Sequence, residues 1–386
     1  MSNTWWTNPA DLDDQQKAVV SLDRDGHHLV VGPPGCGKTN LLLLRASYLH
    51  RAGLKNIAVL TFARSLREFL ASGAGNYAFS ADKIQTYIRW GTTVLLENGA
   101  VVPKEEDFGT NRSAIARSLS AIATRRLPQN SFDCILIDEA QDYTAAELNT
   151  LMQFTPRLFA VGDKNQRIQS DDETALDSLS GAGFRTTSLK FHYRNGLKIC
   201  RVADGIQGLV DHADGLEATS NYDEEAFPST VSCDGGINLA DQISLLIERI
   251  PDQLSAYPDE YIGIICPRKQ ELEAVAEGLL SSPLAPFVHV QHGDYEALSP
   301  DRRVVLTTVH GAKGLEFRAG HFVAADTVKK FPLQKKLAYT AVTRCKTSLC
   351  VYHENDLPGY LEGGLQACSG PAKEPKLDDL FGSGML

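Results

Sequence analysis

Residues 29–39 read Leu29-Val30-Val31-Gly32-Pro33-Pro34-Gly35-Cys36-Gly37-Lys38-Thr39. This stretch is an apolar strand that enters a G-x-x-x-x-G-K-T turn, and the helix-forming run 41–49 follows it. In that setting the backbone N–H groups of the turn and the first turn of the helix form a cradle for phosphate oxygens. Lys38 is expected to contact the β- and γ-phosphates, and the Thr39 hydroxyl is expected to bind Mg²⁺. The segment 32–39 therefore predicts a nucleoside-triphosphate site.

A second motif places two adjacent carboxylates at the end of a predicted buried strand. Residues 135–142 read Ile-Leu-Ile-Asp-Glu-Ala-Gln-Asp, so that Asp138 and Glu139 follow three apolar residues. The carboxyl ends of parallel strands are where α/β sheets bind their ligands. Asp138 is expected to hold Mg²⁺ through water, and Glu139 to orient and deprotonate the attacking water. Together the two motifs predict hydrolysis of a nucleoside triphosphate.

The composition is typical of a globular protein that is large enough for two domains. The chain has 386 residues, of which 43% are hydrophobic and 22% charged. It has no run of 18 apolar residues, no basic-then-apolar start and no C-x-x-C pair among its eight cysteines. We therefore expect a cytoplasmic protein without a membrane partner. The net charge of −10 argues against a protein that coats nucleic acid by bulk charge, although it allows a local basic groove.

Apolar segments fall into two sets, which predicts two α/β domains with parallel sheets and crossover helices. The candidate strands of the first set are 28–32, 57–62, 132–137, 157–162 and 186–191. Those of the second set lie near 261–266, 287–291, 303–308, 320–325 and 347–352.

The predicted domains follow from these sets. The first domain is 1–195, with an insertion at 64–130 that carries a helix-like stretch near 114–126. The second domain is 196–365, and its polar segment 211–236 is interpreted as a linker or surface loop. Residues 366–386 are interpreted as a flexible C-terminal tail.

Seven segments then resemble, in order, the motifs of superfamily 1A helicases, the UvrD/Rep/PcrA group. Segments 32–39 and 135–142 resemble motifs I and II, the latter with its D-E-x-Q-D pattern. The others are 60–64 (motif Ia), 161–168 (motif III), 191–195 (motif IV), 308–317 (motif V) and 339–346 (motif VI). The resemblance implies two RecA-like domains of a P-loop NTPase that clamp Mg·ATP between them. The short segment 64–130 leaves room for a reduced first accessory insertion, and the second accessory domain is expected to be absent or vestigial.

The resemblance also implies roles for single residues. Gln166 would sense the γ-phosphate, and Arg194 and Arg344 would act as arginine fingers. Tyr193 would stack on adenine, and Glu316, next to Gly314, would accept from the ribose hydroxyl. For an isolated arginine the ordinary alternative is a surface salt bridge, and for a tyrosine it is a core position.

Near the N-terminus, residues 12–19 resemble the adenine-reading Q motif. Spacing to Ala18-Val19 favours Gln15, whereas spacing from Leu12 favours Gln16. We favour Gln15.

The expected nucleic-acid contacts follow from motifs Ia and V by the same resemblance: Phe62, Arg64, Thr308 and His310. Trp90 lies where the family has another strand contact, but a core tryptophan is an equal alternative. Motif III continues as Gln169-Ser170-Asp171-Asp172, so the family's aromatic platform for base stacking is missing there.

The predicted function is an ATP-dependent translocase or helicase that moves 3′ to 5′ on single-stranded or partially duplex DNA. The reduced accessory sequence also fits a motor or sensor subunit of a nuclease-containing repair or phage-defence complex, with little unwinding activity alone. A third alternative is an NTP switch that signals without moving. The tail segment 376–381 resembles peptides that bind sliding clamps, although a frayed tail is the ordinary alternative.

Overall fold

The computed structural model describes residues 9–61, 67, 77–125, 131–166, 175–292, 301–330 and 333–368. In these residues the chain forms two six-stranded sheets, and every strand pair in both sheets is parallel. The predicted α/β class with two parallel-sheet domains is confirmed.

The first sheet has the strand order β3-β2-β4-β5-β1-β6. Its strands are β1 (His28–Val31), β2 (Ile57–Thr61), β3 (Ile84–Thr86), β4 (Cys134–Ile137), β5 (Leu158–Gly162) and β6 (Arg185–Ser188). Its helices are α1 (Asp14–Val20), α2 (Lys38–Arg51), α3 (Tyr87–Glu97), α4 (Phe108–Arg125), α5 (Ala145–Gln153) and α6 (Ala175–Gly181).

Successive residues of a strand point to opposite faces of the sheet, so the apolar strands have apolar side chains on both faces. Helices cover both of these faces. Val30 and Val59 lie in one apolar cluster with residues of α1 and α2. Leu29 and Leu60 lie in the other cluster, with residues of α3, α4, α5 and α6. Burial on both faces explains why the central strands are continuous apolar runs.

The described part of the predicted insertion 64–130 belongs to the first domain itself. It supplies the edge strand β3 and the helices α3 and α4. Trp90, Ile115 and Leu119 share one apolar cluster with strand residues of β2 and β4. These helices are therefore a layer on the sheet and have no separate core.

The second sheet has the order β7-β12-β11-β8-β10-β9. Its strands are β7 (Thr230–Gly235), β8 (Ile262–Cys266), β9 (Val288–Val290), β10 (Val304–Thr308), β11 (Phe317–Phe322) and β12 (Cys345–His353). Its helices are α7 (Leu197–Gln207), α8 (Leu239–Ala256), α9 (Lys269–Leu280), α10 (Gln334–Thr343) and α11 (Gly359–Cys368). Helices α7, α10 and α11 cover one face, and α8 and α9 cover the other.

Two expectations for the second domain are wrong. The segment 211–236 is a linker or loop only in part, because β7 lies within it and pairs with β12. This edge strand is mostly exposed and mixed in polarity, so backbone pairing forms it without an apolar pattern. Strand β11 begins at Phe317, before the predicted 320–325, since Arg318 and His321 are buried with polar partners and interrupt the apolar run.

The last helix extends into the predicted tail. Helix α11 continues to Cys368, beyond the predicted start of the tail at residue 366. No helix in the described ranges is long and apolar enough to cross a lipid bilayer.

Candidate nucleotide-binding and hydrolysis site

The segment 32–39 forms a tight loop between β1 and α2. Gly35 and Gly37 have φ angles of +74° and +84°, in the left-handed region that favours glycine. A Cβ atom at Gly35 would lie 2.3 Å from the Cβ of Arg194, so no side chain fits there. Lys38 Nζ donates to the carbonyl oxygens of Gly32 and Pro33, each at 2.8 Å. The ammonium group of Lys38 is thus hydrogen-bonded to the backbone of the loop that carries it.

Asp138 lies at the carboxyl end of β4, and the hydroxyl of Thr39 hydrogen-bonds to its carboxylate. Its Oδ1 accepts from the N–H of Glu139 at 2.9 Å, whereas its buried Oδ2 has no hydrogen-bond partner in the described ranges. Burial, and then the charge of Glu139, raise the pKa of Asp138. A buried carboxylate oxygen without a partner beside a hydroxyl oxygen is a donor set that suits Mg²⁺. The described residues contain no cluster of three or more His, Cys, Asp or Glu side chains that could hold a metal ion.

Glu139 has a strained backbone, with φ 50° and ψ 47° in the left-handed region. The Gln141 side chain donates to its Oε2 at 2.6 Å. Burial alone would raise the pKa of Glu139, but the positive charges of Lys313, Arg344 and Lys38 outweigh it and lower that pKa. Glu139 is therefore held as a carboxylate, the form that a general base requires.

Motif III is connected to motif II by a single amide side chain. Gln141 Oε1 accepts from the N–H of Asp163 at 2.9 Å, at the end of β5. Three residues further on, Gln166 is buried, and its Oε1 accepts from the guanidinium of Arg344. The γ-phosphate sensor predicted in the first domain thus already contacts the second domain.

Both predicted arginine fingers lie in the cleft beside the phosphate loop. Arg194 belongs to the connection between the two sheets, and Arg344 belongs to the second domain. Arg344 ends α10, is 2% exposed, and also donates to the carbonyl of Leu315 at 3.4 Å. Arg194 forms an ion pair with Glu316, and the preceding N–H of Tyr193 donates to Gly35 O at 3.1 Å. One cleft between the domains brings together Pro34, Gly35, Gly37, Lys38, Thr39, Asp138, Glu139, Gln166, Tyr193, Arg194, Gly314, Glu316, Arg344 and Lys346.

The comparisons with known proteins agree with this arrangement. Residues 15–171 match a family described as an AAA domain, and residues 303–352 match the UvrD-like helicase C-terminal domain. The first match spans the phosphate loop and the two carboxylates, and the second spans motifs V and VI; together they cover more than half of the chain. These two matches support a UvrD-like superfamily 1 helicase.

The chain is also similar, at low sequence identity, to a solved helicase structure. A solved structure of the PRRSV helicase is 16% identical, with a TM-score of 0.43, over 89% of this chain and 57% of that chain. The chain thus spans less than two thirds of the length of that helicase. No curated protein sequence matches.

The two glutamines of the Q motif differ in their burial and in their contacts at the edge of the cleft. Gln16 is buried, completes a capping box with Asp13 at the start of α1, and donates to the carbonyl of Cys36 at 3.1 Å. Gln15 is exposed and accepts from the N–H of Lys190 at 3.3 Å. The geometry therefore favours Gln16 over Gln15, and which of the two reads adenine stays a prediction.

The predicted stacking residue is open to solvent. Tyr193 is 39% exposed, and its hydroxyl donates to the Asp13 carboxylate. The alternative of a core aromatic is therefore wrong for this tyrosine.

Sequence reasoning missed a buried ion pair between the two domains of this UvrD-like helicase. Lys313 Nζ lies 2.5 Å from Asp142 Oδ2 and 2.9 Å from the carbonyl oxygen of Gln166. The side chains of Lys313 and Asp142 are 5% and 0% exposed. The signal was present, since both residues belong to segments identified as motifs V and II.

The predicted nucleic-acid contacts lie in different environments in the structure. Phe62 and Arg64 lie outside the described residues. Thr308 ends β10 and its hydroxyl accepts from the N–H of Gly311 at 3.2 Å, with the partly exposed His310 in the turn between them. Trp90 is 2% exposed and packs edge-on against Phe154, with ring centroids 5.4 Å apart. Trp90 is thus a core residue, because α3 turns its apolar side to the sheet, and the prediction of a strand contact is wrong.

Trp90→Ala is expected to lower the free energy of unfolding by about 3–5 kcal/mol, because it leaves a cavity under α3. Urea unfolding measures this effect, with Leu96→Ala as the control, since Leu96 lies on the same helix and is 63% exposed. Affinity for single-stranded DNA, measured on the folded variants, should be unchanged. A loss of affinity at unchanged stability would restore Trp90 as a strand contact.

Proposed function

We propose that this UvrD-like helicase is an ATP-driven motor that translocates 3′ to 5′ on single-stranded DNA, as members of subgroup 1A do. The observation that carries the proposal is the composition of the cleft. The first domain supplies the phosphate loop and the base Glu139, the connection between the two sheets supplies Arg194, and the second domain supplies Arg344. Hydrolysis then requires both domains to be in place, so turnover is coupled to their relative position.

The chemistry assigned to the cleft uses groups of both domains. Lys38 binds the β- and γ-phosphate oxygens, while Thr39 and Asp138 would hold Mg²⁺, which would screen the phosphate charge. Gln166 positions a water molecule whose oxygen attacks the γ-phosphorus, and Glu139 takes its proton. The bond from that phosphorus to the β–γ bridging oxygen breaks, and ADP leaves with the electron pair. Arg194 and Arg344 stabilise the charge that develops during this transfer.

Motif V offers a route from the nucleic acid to the nucleotide. Thr308 ends β10, and Phe317 begins β11, with β8 between these parallel strands. The connection 309–316 therefore runs from the carboxyl edge of the sheet to its amino edge. Its first part carries His310, and its last part carries Gly314 and Glu316 of the cleft. A DNA strand bound near His310 and ATP bound near Glu316 would therefore both contact the connection 309–316.

The alternative of a partner-dependent motor has support of its own. The described parts of 77–125 and 196–292 belong to the two sheets and their helices, and they contain no accessory domain. Accessory domains grip duplex DNA in this family, so unwinding is expected to need a partner such as a nuclease of a repair or antiviral complex. The tail segment 376–381, proposed as the docking peptide for a partner or a clamp, lies outside the described residues.

Single-stranded DNA is expected to raise the rate of ATP hydrolysis at least about tenfold, which corresponds to about 1.4 kcal/mol in favour of the closed cleft. The assay uses purified protein with ATP and Mg²⁺, with and without a DNA oligonucleotide, and an RNA oligonucleotide of the same sequence. Glu139→Gln is the control, since it keeps the shape of the side chain and loses the base. A rate indifferent to added strands would favour the NTP switch.

A strand-displacement assay then separates the motor that acts alone from the partner-dependent one. The expected result is weak displacement by the isolated chain and stronger displacement when co-purifying proteins are present.

A further inference from the structure

Helix α4 carries a buried arginine that reaches the end of motif II. Arg112 Nε donates to Glu147 Oε1 at 2.6 Å, and its Nη2 contacts Glu147 Oε2 as well. The same Nη2 donates to the carbonyl oxygen of Asp142 at 2.8 Å. The side chains of Arg112 and Glu147 are 10% and 2% exposed. One guanidinium therefore ties α4, the start of α5 and the last residue of motif II together.

Glu147 is itself fixed in place by the start of α5. It completes a capping box with Thr144, whose N–H donates to Glu147 Oε2 at 2.8 Å. The acceptor for Arg112 is thus held by backbone geometry and does not depend on a freely rotating side chain. A buried ion pair contributes little to stability compared with an apolar pair of the same volume. The contribution of the Arg112–Glu147 pair is therefore the fixed position of the groups that it joins.

Asp142 joins this cluster to the second domain. Its backbone carbonyl faces Arg112, and its side chain accepts from Lys313 at 2.5 Å. Lys313 in turn donates to the carbonyl of Gln166 at 2.9 Å. Burial raises the pKa of Glu139, and the positive charge of Lys313 is the largest of the effects that lower it. A continuous set of contacts thus leads from Arg112 through Asp142 to the second domain and back to the hydrolytic groups.

We propose that Arg112 is a positioning residue for turnover: it fixes the backbone at Asp142, so that Asp142 receives Lys313 when the two domains meet. This inference rests on the proposed function, because its readout is ATP hydrolysis. It assigns a task to α4, a helix outside all the motifs that the sequence shares with the family. Arg112 donates to Glu147 and to the backbone of Asp142, so its effect on the reaction is expected to pass through Asp142 to Lys313.

Arg112→Met keeps the volume and removes the charge and the hydrogen bonds. The expected result is a fall in strand-stimulated kcat on the order of 10- to 100-fold, the cost of a misplaced catalytic group, with KM for ATP nearly unchanged. Arg112→Lys keeps the charge and one donor, and should recover part of the loss. Leu119→Ala is the matched control for a purely structural role, since Leu119 is a fully buried residue of the same helix.

A double-mutant cycle with Lys313→Met decides how Arg112 acts. If Arg112 works through Asp142 and Lys313, the double variant should lose little more kcat than Lys313→Met alone. If the fold-losses in kcat of the two single variants multiply in the double variant, the inference is overturned while the proposed function stands. A wild-type kcat in Arg112→Met would have the same consequence. A wild-type protein without strand-stimulated hydrolysis would instead overturn the proposed function, and this inference with it. If Arg112→Met does not fold, Arg112→Lys takes its place in the same cycle.

Discussion

Arg344→Ala lowers the rate of ATP hydrolysis by about 10³-fold or more and leaves the affinity for ATP nearly intact. The reason is the position of the guanidinium, which is 2% exposed and lies against Gln166 in the cleft. Its Nε has no hydrogen-bond partner in the described ranges, so this donor is available to a developing charge. Burial and the charge of Arg194 lower the pKa of Arg344 to about 10, so the side chain stays positively charged at neutral pH.

The test for Arg344 compares kcat with the dissociation constant of ATP in the presence of saturating single-stranded DNA. Arg344→Lys is the control: it keeps the charge but loses the planar fork, so it should restore little of the rate. Equal losses of binding and turnover would show that Arg344 holds the ground state, and the assignment as a finger would then be wrong.

Lys38→Ala has the other large effect, and it is expected to reduce hydrolysis to background. Lys38 is the one cation that the loop 32–39 itself carries, and its Nζ lies 2.8 Å from two carbonyl oxygens of the loop. Without it, the negative charges of the β- and γ-phosphate oxygens lie near the buried carboxylate of Asp138 and the half-buried carboxylate of Glu139 with less positive charge to balance them. The loss is expected in both affinity and turnover, and the total is on the order of 10³-fold or more.

The measurement for Lys38 is steady-state hydrolysis together with direct ATP binding. Lys17→Ala is the matched control, because Lys17 is an exposed lysine on the neighbouring helix α1. Retained turnover in Lys38→Ala would mean that the nucleotide binds elsewhere.

Much of the fold could be predicted from apolar runs, and the failures have physical causes. Strands β1, β2, β4 and β5 are buried on both faces and so read as continuous apolar segments. Edge strands β3 and β7 pair on one side only, and neither carries such a run. Burial of a polar residue is equally invisible along the chain, which is why β11, with Arg318 and His321, was placed too late.

Predictions for the site depended on whether the contact is local or distant. Gln16 and Gln15 are neighbours in sequence, and only the capping box at Asp13 shows which of them turns toward the loop. Trp90 has the same letter in the sequence whether it stacks on a base or fills the core. Its neighbour Phe154, which lies more than sixty residues away, decides the matter.

The sequence by itself determined the phosphate loop, the carboxylate pair and the order of the helicase motifs. These features are short, and their chemistry is set by residue type and spacing within a few positions. Only the tertiary structure decided that Lys313 meets Asp142, that Arg344 meets Gln166 and that α4 supports the end of motif II. Those contacts join residues 30 to 178 positions apart, because parallel strands bring distant segments to one edge of a sheet and two such edges form the cleft.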